Sequence, residues 1–229
     1  MRKRLNATPD AALAVGVAAA SEEGPMRNGD RLDIQISEQP VSALAAYGRI
    51  PITFEVRWVL DVEVHTDGLG GITLLERQLP VPYTKDYDAT DGGGPLHWPQ
   101  RFDLSRWGLL MAHHTDQCVG GAAVVCNAAG LHMLEGRDDL AVLWDIRVQP
   151  EVRGRGVGAA LFQAAEAWAR TRGCEQLKVE TQNINVPACR FYARQGCVLG
   201  TIHRFAYPDC PEEVQLLWYK DLCKDTPSG

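Results

Sequence analysis

The stretch Val148-Gln149-Pro150-Glu151-Val152-Arg153-Gly154-Arg155-Gly156-Val157-Gly158-Ala159 constrains the fold of this chain more than any other. The apolar run Leu140 to Val148 reads as a strand, and Pro150 stops it. Three glycines then lead into Val157 to Arg172, where Val157, Ala160, Leu161, Ala164 and Trp168 recur at helical spacing and Gly173 follows as a C-terminal stop. Glycines let the backbone approach a ligand closely, and the exposed N–H groups of a helix start favour an anion. Arg153 and Arg155 add donors suited to phosphate oxygens. The unit therefore reads as a pyrophosphate cradle.

Two nucleotide-binding alternatives fail or weaken. The chain has no G-x-x-x-x-G-K-[ST], which excludes an NTP-hydrolysing P-loop. Gly154-x-Gly156-x-x-Ala159 does fit the dinucleotide fingerprint G-x-G-x-x-A, with Glu180 at the end of the next strand. That fingerprint follows its strand directly, whereas five residues separate Val148 from Gly154 here, and only 70 residues follow Ala159.

Around this unit the pattern is mixed. Strands are expected over Arg31 to Ser37, Ile52 to Val64, Ile72 to Leu79, Trp107 to His113, Val119 to Cys126, Leu177 to Thr181, Val198 to Ala206 and Val214 to Trp218. Helical turns are expected over Pro40 to Tyr47 and Pro187 to Gln195, the latter with Pro187 in its first turn and Gly196 past its end. Gly68 to Gly71 marks a hairpin turn, and Gly120-Gly121 marks a bulge or a close backbone approach. Pro80 to Asp103 reads as a long loop, whose Tyr83, Tyr87, Trp98, Asp86, Asp88 and Asp91 could wall a substrate site, a solvated linker being the alternative. The class is α/β (α+β), a mixed sheet with flanking helices.

Lys and Arg total 23 against 29 Asp and Glu, a formal charge of −6, so the chain is a poor nucleic-acid binder and better suited to a cationic small molecule. No apolar run approaches the ~18 residues of a membrane span. The seven cysteines form no C-x-x-C and sit at no zinc spacing with histidine, which points to a reducing, cytoplasmic setting and no metal. Residues 1–29 are expected to be a disordered or weakly helical extension. Its basic start and Ala-rich run faintly mimic a secretory signal, but Pro9 and Asp10 interrupt it, and Met26 is an alternative start. Residues 30–229 are expected to form one domain.

Arg153-Gly154-Arg155-Gly156-Val157-Gly158 resembles the R-x-x-G-x-G acetyl-CoA motif of the GNAT N-acetyltransferases. Asn185-Val186-Pro187-Ala188-Cys189-Arg190-Phe191-Tyr192 downstream matches the same family's order. The resemblance covers about residues 107–219. Within it, Glu180-Thr181-Gln182-Asn183-Ile184-Asn185 with Ala188-Cys189 and Phe191-Tyr192 looks most like streptothricin acetyltransferases. Gly196-Cys197 departs from the family's usual Gly-Phe, a change expected to alter packing and not chemistry.

The resemblance implies a GNAT fold whose central sheet splays between the fourth and fifth core strands, with acetyl-CoA as co-substrate in the splay. Backbone groups of Ile146, Arg147 and Val148 would then hold the pantetheine. Those of Arg153, Gly154, Arg155, Gly156, Val157, Gly158 and Ala159 would hold the pyrophosphate. Tyr192 is the expected acid for the departing thiolate, its alternative being a core tyrosine on a short helix, one position after Phe191. Asn185 would bond the pantetheine or cap its helix. Asp145, placed on one strand face with Leu143 and Arg147, and Glu180 are the expected carboxylates, each either binding the substrate cation or taking its proton. Their structural alternatives are a salt bridge with Arg147 or another strand for Asp145 and a bond to Arg190 for Glu180. His113 and His114 read as structural or solvent-facing. The implied activity is acetyl transfer to a primary amine of a small cationic acceptor, such as a streptothricin-like antibiotic, by a monomer or homodimer. A non-catalytic acyl-CoA sensor and a protein or peptide N-acetyltransferase are the alternatives.

Overall fold

Near-continuous apolar runs, buried on both faces, build the centre of a seven-stranded sheet with a helical layer on each face. A computed structural model describes residues 31–89 and 93–223, so the expected extension at 1–29 and Asp91 of the expected wall lie outside the described residues. The sheet strands are β1 (Gln35–Gln39), β4 (Trp107–His114), β5 (Gln117–Cys126), β6 (Leu140–Val148), β7 (Gln176–Gln182), β8 (Val198–His203) and β9 (Gln215–Asp221). Their spatial order is β1-β4-β5-β6-β7-β9-β8. Each neighbouring pair is antiparallel except β6 with β7, which is parallel. A crossover helix, α3 (Val157–Arg170), joins that parallel pair, as the geometry of parallel strands requires.

One sheet face packs on α3 and on α4 (Val186–Arg194) through Leu110, Val124, Leu143, Leu161, Phe162 and Tyr192. The other packs on the short turns α1 (Leu44–Tyr47) and α2 (Trp98–Arg101) through Tyr47, Trp98, Leu109, Met111, Val125 and Trp144. Strand β6 crosses from one pattern to the other. A bulge opposite Ala123 and Val124 leaves Trp144 as an extra residue, so Leu143 faces α3 while Trp144 faces the α1 side. Ile146 and Val148 then resume on the α3 face. The slip therefore separates Asp145 from Leu143, contrary to the expected shared face, and turns Asp145 toward Tyr47 of α1. One extra residue inverts the period-2 pattern beyond it, which alternation alone does not reveal.

A second, two-stranded sheet pairs β2 (Phe54–Val64) with β3 (Ile72–Lys85). Strand β3 runs six residues into the expected loop. Pro80 and Pro82 are tolerated because they fall at the register shift opposite Val56 and Trp58. The rest of that segment is partly helical, with Trp98 in α2 buried and Tyr83 exposed. Asn183 stitches the hairpin to the main sheet. It donates to the Leu60 carbonyl at 3.1 Å, and its side-chain oxygen accepts from the Val214 N–H at 2.8 Å.

The expected close approach at Gly120-Gly121 is present. A register shift precedes Gly120, and a Cβ on Gly121 would lie 2.7 Å from the Tyr47 ring and 2.9 Å from the Leu110 carbonyl. We expect Gly121→Ala to destabilise the fold by about 1–3 kcal/mol through this overpacking. Denaturant unfolding measures the loss, and an unchanged midpoint would show that the contact is not rigid.

Candidate active site

Strands β6 and β7 hydrogen-bond only from Leu140↔Gln176 to Leu143↔Val179. Beyond that point β6 stays on β5 and β7 stays on β9, so the facing edges of Asp145–Val148 and Glu180–Gln182 part. This is the splay expected between the fourth and fifth core strands, and it falls immediately after the bulge.

The glycine turn closes one end. Gly154 and Gly156 take φ of 76° and 87°, the left-handed region that favours glycine. Helix α3 starts without a side-chain cap and with no acid in its first turn, so the free N–H groups around Val157, Gly158 and Ala159 suit an anion. Two expected donors behave differently. The Arg153 guanidinium is half-buried and donates to the carbonyls of Val148 at 3.1 Å and Pro51 at 3.4 Å, so it braces the turn against β6. The Arg153 and Arg155 N–H groups donate to the carbonyls of Pro150 and Val152. The Arg155 carbonyl accepts from the Leu32 N–H, while its side chain stays exposed.

Helix α4 closes the other side. Asn185 caps it, with Oδ1 accepting from the Ala188 N–H at 3.2 Å, while its buried Nδ2 lies beside Tyr87 without a well-formed hydrogen bond. The Tyr192 hydroxyl is fully buried and unpartnered. Burial raises this phenol well above its ordinary range, with nearby Cys197 and Asp145 adding to the effect, so it stays protonated. An orphaned donor costs about 1–3 kcal/mol, and these two groups beside one gap suit a polar ligand such as pantetheine with its thioester. Cys189 is no nucleophile: burial pushes its thiol up to about 12. Cys197 is buried in the core beside these groups, in keeping with a packing change at that position.

Asp145 and Arg147 form a buried ionic lattice, each only 1% exposed. The guanidinium bonds Asp145 at 2.7 Å and grips Asp88 at 2.6 and 2.8 Å, and it donates to the Ile50 carbonyl at 3.2 Å. Tyr47 donates to Asp145 at 2.9 Å. Burial raises the Asp145 carboxyl above its ordinary value, although Arg147 opposes this. Asp145 is thus engaged in the expected salt bridge with Arg147. Asp88, from the expected wall, is drawn in as a second partner.

Glu180 is different. It is 0% exposed, and its ligands are neutral: Tyr207 donates to Oε1 at 2.5 Å, Gln182 to Oε1 at 3.3 Å and Gln215 to Oε2 at 2.8 Å. Arg190 does not pair with it but binds Glu76 instead. Burial without a bonded cation pushes the Glu180 carboxyl up to about 7, its hydrogen bonds pulling it partly back. Tyr87 donates to Gln182 Oε1 and thereby fixes that amide, whose nitrogen then donates to Tyr207 at 2.8 Å. Tyr47, Tyr207 and Gln215 were not legible as site residues; each is distant in sequence from the glycine turn. His114 bonds the Asp33 carbonyl at 2.6 Å, a structural role.

The sequence profile of the acetyltransferase (GNAT) family matches residues 73–197. The chain belongs to this family. It is 44% identical to a streptothricin acetyltransferase of Streptomyces lavendulae over 81% of this chain and 92% of that one. It is 31% identical to a streptothricin acetyltransferase of Escherichia coli, covering 72% and 84%. In fold it matches a candidate streptothricin acetyltransferase from Bacillus anthracis solved with acetyl coenzyme A, with a TM-score of 0.62, 24% identity and coverage of 83% and 98%. The protein is accordingly an acetyl-CoA-dependent N-acetyltransferase. Among its described residues no helix is long and apolar enough to cross a membrane.

The lattice gives a stability test. Arg147→Met strips Asp145 of its buried counter-charge, and we expect a loss of about 3–5 kcal/mol in unfolding free energy. Adding Asp145→Asn should recover a substantial part, because the fully buried carboxylate is then gone and only the partly exposed Asp88 is left without its partner. Equal losses in the single and double variants would contradict this assignment.

Proposed function

We propose that this enzyme moves the acetyl group of acetyl-CoA to a primary amine of a small cationic acceptor of the streptothricin type, by direct attack within a ternary complex. The observation that carries the reading is the pairing of an unpartnered, protonated Tyr192 with a carboxyl, Glu180, poised to ionise near neutrality. Tyr87 lies within electrostatic reach of both. Two groups set apart in this way suit an acid and a base in one reaction.

Acetyl-CoA supplies an activated acyl group. The open edge of Ile146, Arg147 and Val148 holds the pantetheine and offers N–H donors to the thioester oxygen, where negative charge grows during attack. The turn from Gly154 to Ala159 takes the pyrophosphate, with Arg153 bracing it and Arg155 facing solvent. Asn185 Nδ2 offers a donor to the pantetheine arm while Oδ1 keeps α4 capped. Tyr192 protonates the departing thiolate. Glu180 takes the proton that the acceptor ammonium must lose. Asp145 acts as a positioning residue, holding Arg147 and Tyr47 beneath the splayed part of β6. The acidic composition of the chain and the names of its relatives both favour a cationic acceptor.

Thiol release from acetyl-CoA, followed with and without a panel of amines that includes streptothricin, tests this function. We expect release only with the cationic antibiotic and one acetyl on its amine by mass spectrometry. Tyr192→Phe should retain acetyl-CoA binding but turn over about 10²-fold more slowly. Binding without release by any amine would favour a sensor or a protein acceptor, and unchanged turnover in Tyr192→Phe would remove the assigned acid.

A further inference from the structure

Glu180 presents a problem as a base: at 0% exposure it cannot meet an acceptor amine directly. Among the described residues, its hydrogen-bond partners border a cleft. A cleft of about 490 Å³ between the β2–β3 hairpin and the β8–β9 connection is lined by Tyr207 with Asp61, Asn183, Phe205 and Glu212. Tyr207 is 8% exposed and is the side chain common to the cleft and to the Glu180 hydrogen-bond set.

The bonding at Tyr207 is directional. The Glu180 carboxylate only accepts, so Gln182 turns its amide nitrogen toward Glu180 and Tyr207, and its oxygen accepts from Tyr87. That nitrogen donates to the Tyr207 oxygen at 2.8 Å, and the Tyr207 O–H then donates to Glu180 Oε1 at 2.5 Å. The Tyr207 oxygen therefore accepts one bond and donates one, and the same residue lines the cleft.

We infer that Tyr207 is a proton relay joining the buried Glu180 carboxylate to the acceptor amine in this cleft. The inference rests on the reading of Glu180 as base. An N–H bond of the acceptor ammonium breaks as its proton moves to the Tyr207 oxygen, and the Tyr207 O–H proton moves to Glu180 Oε1. Tyrosine is neutral before and after, the carboxylate becomes a carboxylic acid, and the amine gains the free pair needed for attack. The proton returns by the same route once product leaves.

The groups that set this balance are few. Glu180 faces Tyr207, Gln182 and Gln215, with the Lys178 charge acting on it from the same strand. Tyr207 faces Glu180, Gln182 and Tyr87. Asp61, already bound to Arg77, borders the cleft with Arg204 and Glu212, and Glu213 acts on Tyr87 while bound to Lys85. Because the Glu180 carboxyl titrates near 7, kcat/KM should rise as pH rises through that value.

Three variants assayed over a pH series with a cationic amine acceptor test the relay. Tyr207→Phe should lower kcat about 10²-fold, leave KM for acetyl-CoA unchanged and flatten the acid limb near 7, since the residual turnover no longer passes through Glu180. Thermal stabilisation by acetyl-CoA checks that this variant is folded. Replacing Tyr207 with 3,5-difluorotyrosine keeps the shape and strengthens the donor, so the acid limb should move to lower pH. A wild-type profile in either protein overturns the relay. Glu180→Gln separates the two readings. If the limb vanishes there while Tyr207→Phe stays wild-type, the relay alone fails. If the limb persists in Glu180→Gln, the base assignment fails with it.

Discussion

Two parallel strands that hydrogen-bond as far as Leu143 and Val179 then separate, and the rest of the molecule is arranged around that gap. Leaving sheet edges open in a protein interior is costly, because each unpaired backbone group forfeits a bond it would have made to water. The chain sustains the gap from both sides. On β6 the extra residue Trp144 turns Asp145 and Arg147 toward α1, where Tyr47, Ile50 and Asp88 fix them. On β7 the strand is anchored to β9, and Asn183 ties its end to the β2–β3 hairpin.

Two buried carboxyl groups border the gap and are treated oppositely. Asp145 has a guanidinium within 2.7 Å and belongs to the scaffold. Glu180 has only phenol and amide donors, so the same burial leaves it near its ionisation point at neutral pH. Partner chemistry, not depth, therefore separates the positioning residue from the group that can exchange a proton. Tyr192 completes the contrast as a hydroxyl with no protein partner at all.

Much of this was legible in the sequence where the signal is local. The run Leu140 to Val148, the glycine turn and the amphipathic pattern of α3 fall where period and composition place them. Asn185 and Tyr192 sit within a contiguous motif, so their shared neighbourhood was readable too. What was not readable depends on one-residue slips and on long-range contacts. The β6 bulge has no residue signature, so strict alternation places Leu143 on the face of Asp145 and Arg147, from which the bulge removes it. Strand β3 was cut short at Pro80 because its prolines sit at a register shift that only pairing reveals. An arginine beside glycines reads as a phosphate ligand and carries no sign of the Val148 and Pro51 carbonyls that its guanidinium engages. Tyr207 lies 27 residues from Glu180 across a helix, a strand and a loop, beyond any spacing rule.

Backbone amide hydrogen exchange, measured with and without acetyl-CoA, tests most directly whether the parted strands are the ligand seat. The account requires slowed exchange at the N–H groups of Asp145–Val148 and in the first turn of α3, with no change in the distant β5–β6 connection. Protection confined to that connection, or no change along β6 on saturating acetyl-CoA, would contradict it.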